Sequence, residues 1–122
     1  MGRRGEQEAY KHLRQLGYTV VASNFRTRDG RGEVDLIGWD GDRLAFVEVK
    51  TRSCEMFGSP EAGIDRRKRR NLIWAAGEYL RRAGLDWDCA RFDTVSVILG
   101  EPARVELCKD AFSRRSATAD RS

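Results

Sequence analysis

Glu33-Val34-Asp35-Leu36-Ile37-Gly38, followed by Arg43-Leu44-Ala45-Phe46-Val47-Glu48-Val49-Lys50, is the stretch that decides the fold. Both halves are rich in aliphatic residues and read as strands. The Trp39-Asp40-Gly41-Asp42 segment between them holds the Asp-Gly pair favoured in tight hairpins. Side chains alternate along a strand, so Glu48 and Lys50 share a side with Leu44 and Phe46, and Ala45, Val47 and Val49 line the opposite, wholly apolar side. Glu33, Asp35 and Ile37 share a face of the first strand by the same rule. A hairpin centred on Asp40-Gly41 or on Gly41-Asp42 pairs Asp35 with residue 46 or 48. Either register brings Asp35 to the face of Glu48, and a one-residue bulge would break the inference.

Asp35 and Glu48 would then be two carboxylates a few ångströms apart in a half-buried place. Like charges at about 4 Å repel by roughly 4 kcal/mol at an effective dielectric near 20. Lys50 offsets part of that, and Glu6 and Glu33 can add further negative charge. Such a cluster calls for a divalent cation, and oxygen donors without His or Cys favour Mg²⁺ or Mn²⁺ over Zn²⁺. Taken alone, Glu48-Val49-Lys50 is better read as an edge-strand ion pair worth under ~1 kcal/mol. The weight comes from the combination: an Asp on one strand, a tight hairpin, then Glu-x-Lys inside an apolar run on the next.

Outward from this centre, Ala9, Leu13 and Leu16 are spaced for one face of a helix over 5–16, with Glu6 at its inner edge and Gly17 as its stop. Residues 18–22 read as a short strand and 24–31 as a polar loop. A loop holding Gly58 and Pro60 follows Thr51. A long helix over about 61–83 comes next, with the stripe Leu72, Ala76, Tyr79, Leu80 and Ala83 and an exit at Gly84. Trp74 and Tyr79 are assigned to the core, and the loop aromatics Trp39 and Phe57 to packing. Strands are expected at 91–98 and 103–108, and the stretch 113–122 as a disordered tail. The order αβββαββ predicts a single α/β domain over 1–112.

The chain has 122 residues, 40% of them hydrophobic and 34% charged. No apolar run approaches the roughly 20 residues that span a bilayer. The amino-terminal residues lack the apolar segment of a secretory signal. The lone His12 argues against His-cluster zinc chemistry and a His-based triad. Cys54, Cys89 and Cys108 are odd in number and far apart, which suits a reducing cytoplasm better than a disulfide framework. Net charge is +4, and four of the 23 cations are Lys. Arg66-Arg67-Lys68-Arg69-Arg70 is an unbroken cationic run; Arg26, Arg28 and Arg31 form a second cluster. On charge alone both read as solvated faces, with backbone contact to a nucleic acid as the functional alternative.

Together these residues resemble the PD-(D/E)XK, restriction-endonuclease-like nuclease core. More closely, the chain resembles the YraN-like family of small bacterial proteins described as predicted endonucleases. The specific strings are Gly32-Glu33-Val34-Asp35-Leu36-Ile37 and Phe46-Val47-Glu48-Val49-Lys50-Thr51-Arg52. Gly2…Glu6-Gln7-Glu8-Ala9, Asn24-Phe25-Arg26, Lys68 ahead of Ala76, Arg91-Phe92-Asp93 and Ala111-Phe112 support them.

The resemblance implies a mixed β-sheet flanked by helices, with DNA as substrate and Mg²⁺ or Mn²⁺ as cofactor. It makes Asp35 and Glu48 the metal ligands. Lys50 becomes the residue that contacts the scissile phosphate and attacking water, and Glu6 the auxiliary acid on the first helix. Glu33 is an accessory acid, and Arg52 with Arg66, Arg67, Lys68, Arg69 and Arg70 would grip the nucleic acid. Val34, rather than Pro, precedes Asp35, a substitution common in the superfamily. The expected activity is metal-dependent hydrolysis of DNA phosphodiesters, in its sharpest form on Holliday junctions, which would need a homodimer. The alternative is a non-catalytic DNA-binding or scaffold protein that keeps the nuclease core.

Overall fold

The computed structural model describes residues 2–53 and 66–114. Helix α1 (Gly2–Gln15) is followed by strands β1 (Thr19–Arg26), β2 (Glu33–Asp40) and β3 (Arg43–Ser53), helix α2 (Arg66–Ala83), and strands β4 (Ala90–Leu99) and β5 (Arg104–Phe112). This is the αβββαββ order. The five strands form one sheet in the order β1-β2-β3-β4-β5. Pairing is antiparallel except between β3 and β4, which run parallel because the chain crosses back through α2. The expected extension of α2 back to residue 61, Cys54, Phe57 and residues 115–122 of the expected tail lie outside the described residues.

Each helix covers one face of the sheet. Ala9 and Leu13 of α1 pack on Leu36, Ala45, Val47, Val95 and Val97. Leu72, Ala75, Ala76 and Leu80 of α2 pack on Val34, Ile37, Leu44, Phe46 and Phe92. Residues 44–47 of β3 are wholly buried, as a central strand sandwiched between helices requires. Helix α1 stops at Gln15, and Gly17 takes φ 98° beyond it, so Leu16 falls past the last turn and is half exposed rather than part of the stripe. On α2 the buried stripe includes Ile73 and Ala75, whereas Ala83 is exposed. Trp74 is 46% exposed and does not belong to the core. Its position in the helix points it away from the sheet. Tyr79 is half-buried, edge-on to Phe25 and Phe46 with ring centroids at 5.3 and 6.1 Å.

The β2–β3 hairpin turns on Gly41-Asp42, with Asp40 opposite Arg43 and Gly41 at φ 64°. Of the two expected registers this is the one that sets Asp35 against Glu48. Strict alternation along β2 fails, however. Val34 and Ile37, three apart, both pack on the α2 side, while Leu36 packs on the α1 side. The edge strand β1 shares this irregularity: Asn24 takes φ 55° between the pairs Ser23–Leu36 and Phe25–Val34. Strand β1 also runs four residues past the expected end, because at a sheet edge polar residues can pair on one side and face water on the other.

At the hairpin end of the sheet a buried polar network ties β2, β4 and β5 together. Asp93 is wholly buried and accepts hydrogen bonds from Tyr18 Oη (2.9 Å), Arg91 Nε (2.9 Å) and the Asp110 backbone N–H (3.0 Å). Arg91 also donates to Asp40 at 2.8 Å, and Lys109 lies 3.0 Å from the same Asp40 oxygen. Burial and the anionic Asp93 raise the Tyr18 pKa well above the usual phenol range, so the hydroxyl stays a donor. Arg91-Phe92-Asp93 is therefore structural here, as an Arg–Asp pair with every bond satisfied. Among the described residues no helix is long and apolar enough to cross a membrane.

Candidate active site

The ladder between β2 and β3 ends at Leu36–Val47. One residue further out, Asp35 turns its carboxylate into the place of the next rung: Oδ2 accepts the Val49 backbone N–H at 2.7 Å. The strands separate there and open a cleft of about 290 Å³, lined by Glu33, Asp35, Glu48, Lys68, Asn71 and neighbouring residues. Glu48 is 4% exposed, and its Oε2 lies 3.6 Å from Lys68 Nζ. The two carboxylates thus meet in one cleft, despite the lost alternation on β2.

The electrostatics of Asp35 are those of a carboxyl short of positive charge. Its pKa is pushed up to about 6, chiefly by burial, and then by the negative charges of Glu6 and Glu33. The Val49 hydrogen bond and the Lys68 ammonium pull the other way without cancelling the rise. Glu6 therefore acts on Asp35 from α1, across the sheet from α2.

Two glycines set these distances. A Cβ on Gly32 would stand 2.6 Å from the Asn71 carbonyl oxygen and 2.8 Å from the Ala75 nitrogen, so the start of β2 lies directly on the backbone of α2. A Cβ on Gly5 would collide with the Thr51 side chain, so the first turn of α1 lies against the far half of β3. That contact is what brings Glu6 within reach of the cleft. Sequence reading assigned neither glycine a role, because close approach of two backbones leaves no signature beyond the missing side chain.

The other expected site residues are distributed unevenly. Lys50 is half-buried, two residues beyond Glu48 and opposite Ser96 in the parallel ladder. The cation against the carboxylates is Lys68 instead, one of the residues expected only to grip nucleic acid. Glu33 lines the cleft and pairs loosely with Arg26 at 3.9 Å, both exposed. Arg52 is half-buried opposite Ile98. The run Arg66–Arg70 forms no single face, since consecutive helical residues point about 100° apart. Arg69 stacks on the Phe112 ring (4.4 Å), Lys68 turns to Glu48, and Arg70 lines a separate groove.

Among the described residues no group of three or more His, Cys, Asp or Glu is placed to hold a metal ion. A pair of carboxylates is nonetheless a usual protein share for Mg²⁺, which keeps several waters and takes further oxygens from substrate phosphates. The all-oxygen donors and the raised pKa of Asp35 fit such an ion.

A mixed sheet with one helix on each face, built in the order αβββαββ, defines a restriction-endonuclease-like fold. Residues 5–97 match the family model described as Uncharacterised protein family UPF0102, and the chain belongs to this family, the YraN family that its sequence resembles. A UPF0102 protein of Solibacter usitatus is 55% identical over 91% of this chain and 84% of its own length. One of Koribacter versatilis is 46% identical over 91% and 78% of the two chains. One of Desulfosudis oleivorans is 43% identical over 97% and 94%.

Proposed function

We propose that this chain is a metal-dependent DNA endonuclease that hydrolyses phosphodiester bonds in the cleft between β2 and β3. What carries the reading is the convergence of Asp35 and Glu48 where the two strands part, with Asp35 pushed up to about 6 by burial and by Glu6 and Glu33. Structural carboxylates are normally held below their ordinary pKa by the partners that make them worth burying. Asp35 is held above it, at a cost to the fold, and perturbations of this kind cluster at functional sites.

Asp35 and Glu48 would hold Mg²⁺ or Mn²⁺, and the bound ion would stabilise negative charge building on the phosphate oxygens. Asp35 is aimed into the cleft by the Val49 N–H, so its position does not depend on the ion. The Lys68 side chain is 58% exposed, so its ammonium can reach a phosphate while staying near Glu48. Lys50 offers a second ammonium on the Glu48 side of β3, suited to lowering the cost of a hydroxide nucleophile beside a polyanion. Glu6 and Glu33 act on the cleft through their charge.

A second reading, a non-catalytic DNA-binding or scaffold protein, is favoured by one observation: Lys68 already supplies Glu48 with a cation from the chain itself. Cleavage assays separate the two readings. Supercoiled, single-stranded, flap and four-way-junction DNA are incubated with Mg²⁺ or Mn²⁺ and wild-type, Asp35→Asn or Lys50→Ala protein. Metal-dependent cutting lost in both variants is expected. Cutting that survives both would overturn the assignment.

A further inference from the structure

Beside the cleft, on the outer face of α2, lies a groove of about 440 Å³ whose lining includes Arg31, Arg70, Trp74, Gly77, Arg81 and Trp87. Among the described residues, three guanidiniums and two indoles line it and no carboxylate does. Asp29 stands at its margin, accepting from Trp74 Nε1 at 3.2 Å. The Arg31 guanidinium stacks 4.3 Å from the centre of the Trp74 ring, and Trp74 is still 46% exposed with that guanidinium in place. At the other side a Cβ on Gly77 would come within 3.2 Å of Trp87 Cζ2, so the missing side chain is what lets the second indole close against α2. A glycine in a helix interior is disfavoured against alanine. Here that cost leaves the groove its floor.

Arg31 and Asn71 line both this groove and the carboxylate cleft, so the two adjoin. A surface meant only to follow duplex backbone needs cations but gains little from indoles, because paired bases keep their faces inside the stack. An unpaired base exposes both faces and stacks readily on aromatic rings and on guanidinium planes.

We propose that the Arg31–Trp74–Trp87 groove binds unpaired nucleotides of the DNA strand that flanks the phosphate held at Asp35 and Glu48, so that junctions between paired and single-stranded DNA are the preferred substrates. The inference rests on reading the cleft as a phosphodiester-cleaving site. It adds which part of the DNA the enzyme holds and why intact duplex is disfavoured.

The test measures binding and cleavage separately on the full chain. Tryptophan fluorescence is titrated with a 20-mer of thymidine and with a blunt duplex of equal length, in the absence of divalent metal. The oligothymidine binds about 10-fold more tightly than the duplex, and Trp74→Ala removes about that factor while Trp74→Phe restores most of it. Duplex affinity is unchanged in both. Equal affinity for the two DNAs, or a Trp74→Ala protein that binds oligothymidine normally, overturns the proposal. So does an RNA 20-mer bound more tightly than its DNA counterpart. Cleavage of a flapped duplex by Asp35→Asn protein serves as the second readout. If wild type cuts but the groove shows no preference, the groove assignment fails alone. If oligothymidine binding depends on Trp74 but Asp35→Asn cuts normally, the cleft assignment fails and the proposed link between groove and cleavage falls with it.

Discussion

Asp35 Oδ2 accepts the backbone N–H of Val49 at 2.7 Å, in the position where a ladder bond between β2 and β3 would otherwise lie. A carboxylate thus replaces a carbonyl as the acceptor that ends the ladder. The exchange satisfies the donor but places a charge where the chain has removed water. The first consequence is a pH dependence.

The folded-state pKa of Asp35, about 6, lies above its ordinary value of 3.8. Between those values the folded protein binds more protons than the unfolded one, so stability falls as pH rises through this window and levels off above it. A tenfold difference in proton affinity between folded and unfolded chains is worth about 1.4 kcal/mol, which bounds the whole effect at roughly 3 kcal/mol. Asp35→Asn keeps an acceptor for Val49 and removes the charge. The variant should be more stable than wild type at pH 7.5 and lose the advantage near pH 4, as read by thermal denaturation across this range.

Millimolar Mg²⁺ or Mn²⁺ should raise the melting temperature of the wild-type protein at pH 7.5. A ligand at 100 times its dissociation constant stabilises by about 2.7 kcal/mol. The increment should vanish in Asp35→Asn and in Glu48→Gln. A melting temperature indifferent to both ions would remove the cation from this site.

Lys68 would compete with the proposed metal ion for the Glu48 carboxylate. Lys68 is 58% exposed but its partner Glu48 only 6%, so Lys68→Ala leaves a buried carboxylate without this cation and should unfold earlier than wild type. The same variant should show a larger Mg²⁺-induced stabilisation than wild type, because one positive neighbour is gone. If Lys68 touches a phosphate in the complex, the slope of log affinity against log salt should fall by about one in Lys68→Ala.

The network around Asp93 should behave in the opposite way. Asp93→Ala leaves the Arg91 guanidinium and the Tyr18 hydroxyl without their buried acceptor, and should cost about 3 kcal/mol. Metal-induced stabilisation should survive in whatever fraction of the variant stays folded. Chemical denaturation with and without Mg²⁺ checks both statements.

The hairpin was legible from sequence because its signals are local: an Asp-Gly pair, alternating side chains, and two runs rich in aliphatic residues. The convergence of Asp35 and Glu48 was expected from register together with strict alternation; the alternation fails beside Val34, and the two carboxylates still line one cleft. The Lys68–Glu48 pair was not legible in the same way. Lys50 is tied to Glu48 by strand periodicity, whereas Lys68 arrives from a helix eighteen residues further on, and only the docking of α2 sets its distance. Trp74 misled for a related reason. A large aromatic among helical apolar residues reads as core, and the direction of a helix face depends on which neighbouring stripe wins the sheet.

Gly32 resting on the main chain of α2 has a consequence for when this protein can act. Residues 35, 48 and 68 belong to three elements, and the cleft they line exists only where that helix lies against the strands. A chain still emerging from the ribosome, or one that has lost its helix to damage, has the three side chains but no cleft. For the proposed nuclease, cutting competence and completed folding therefore coincide, and a partly built copy is harmless to the DNA around it.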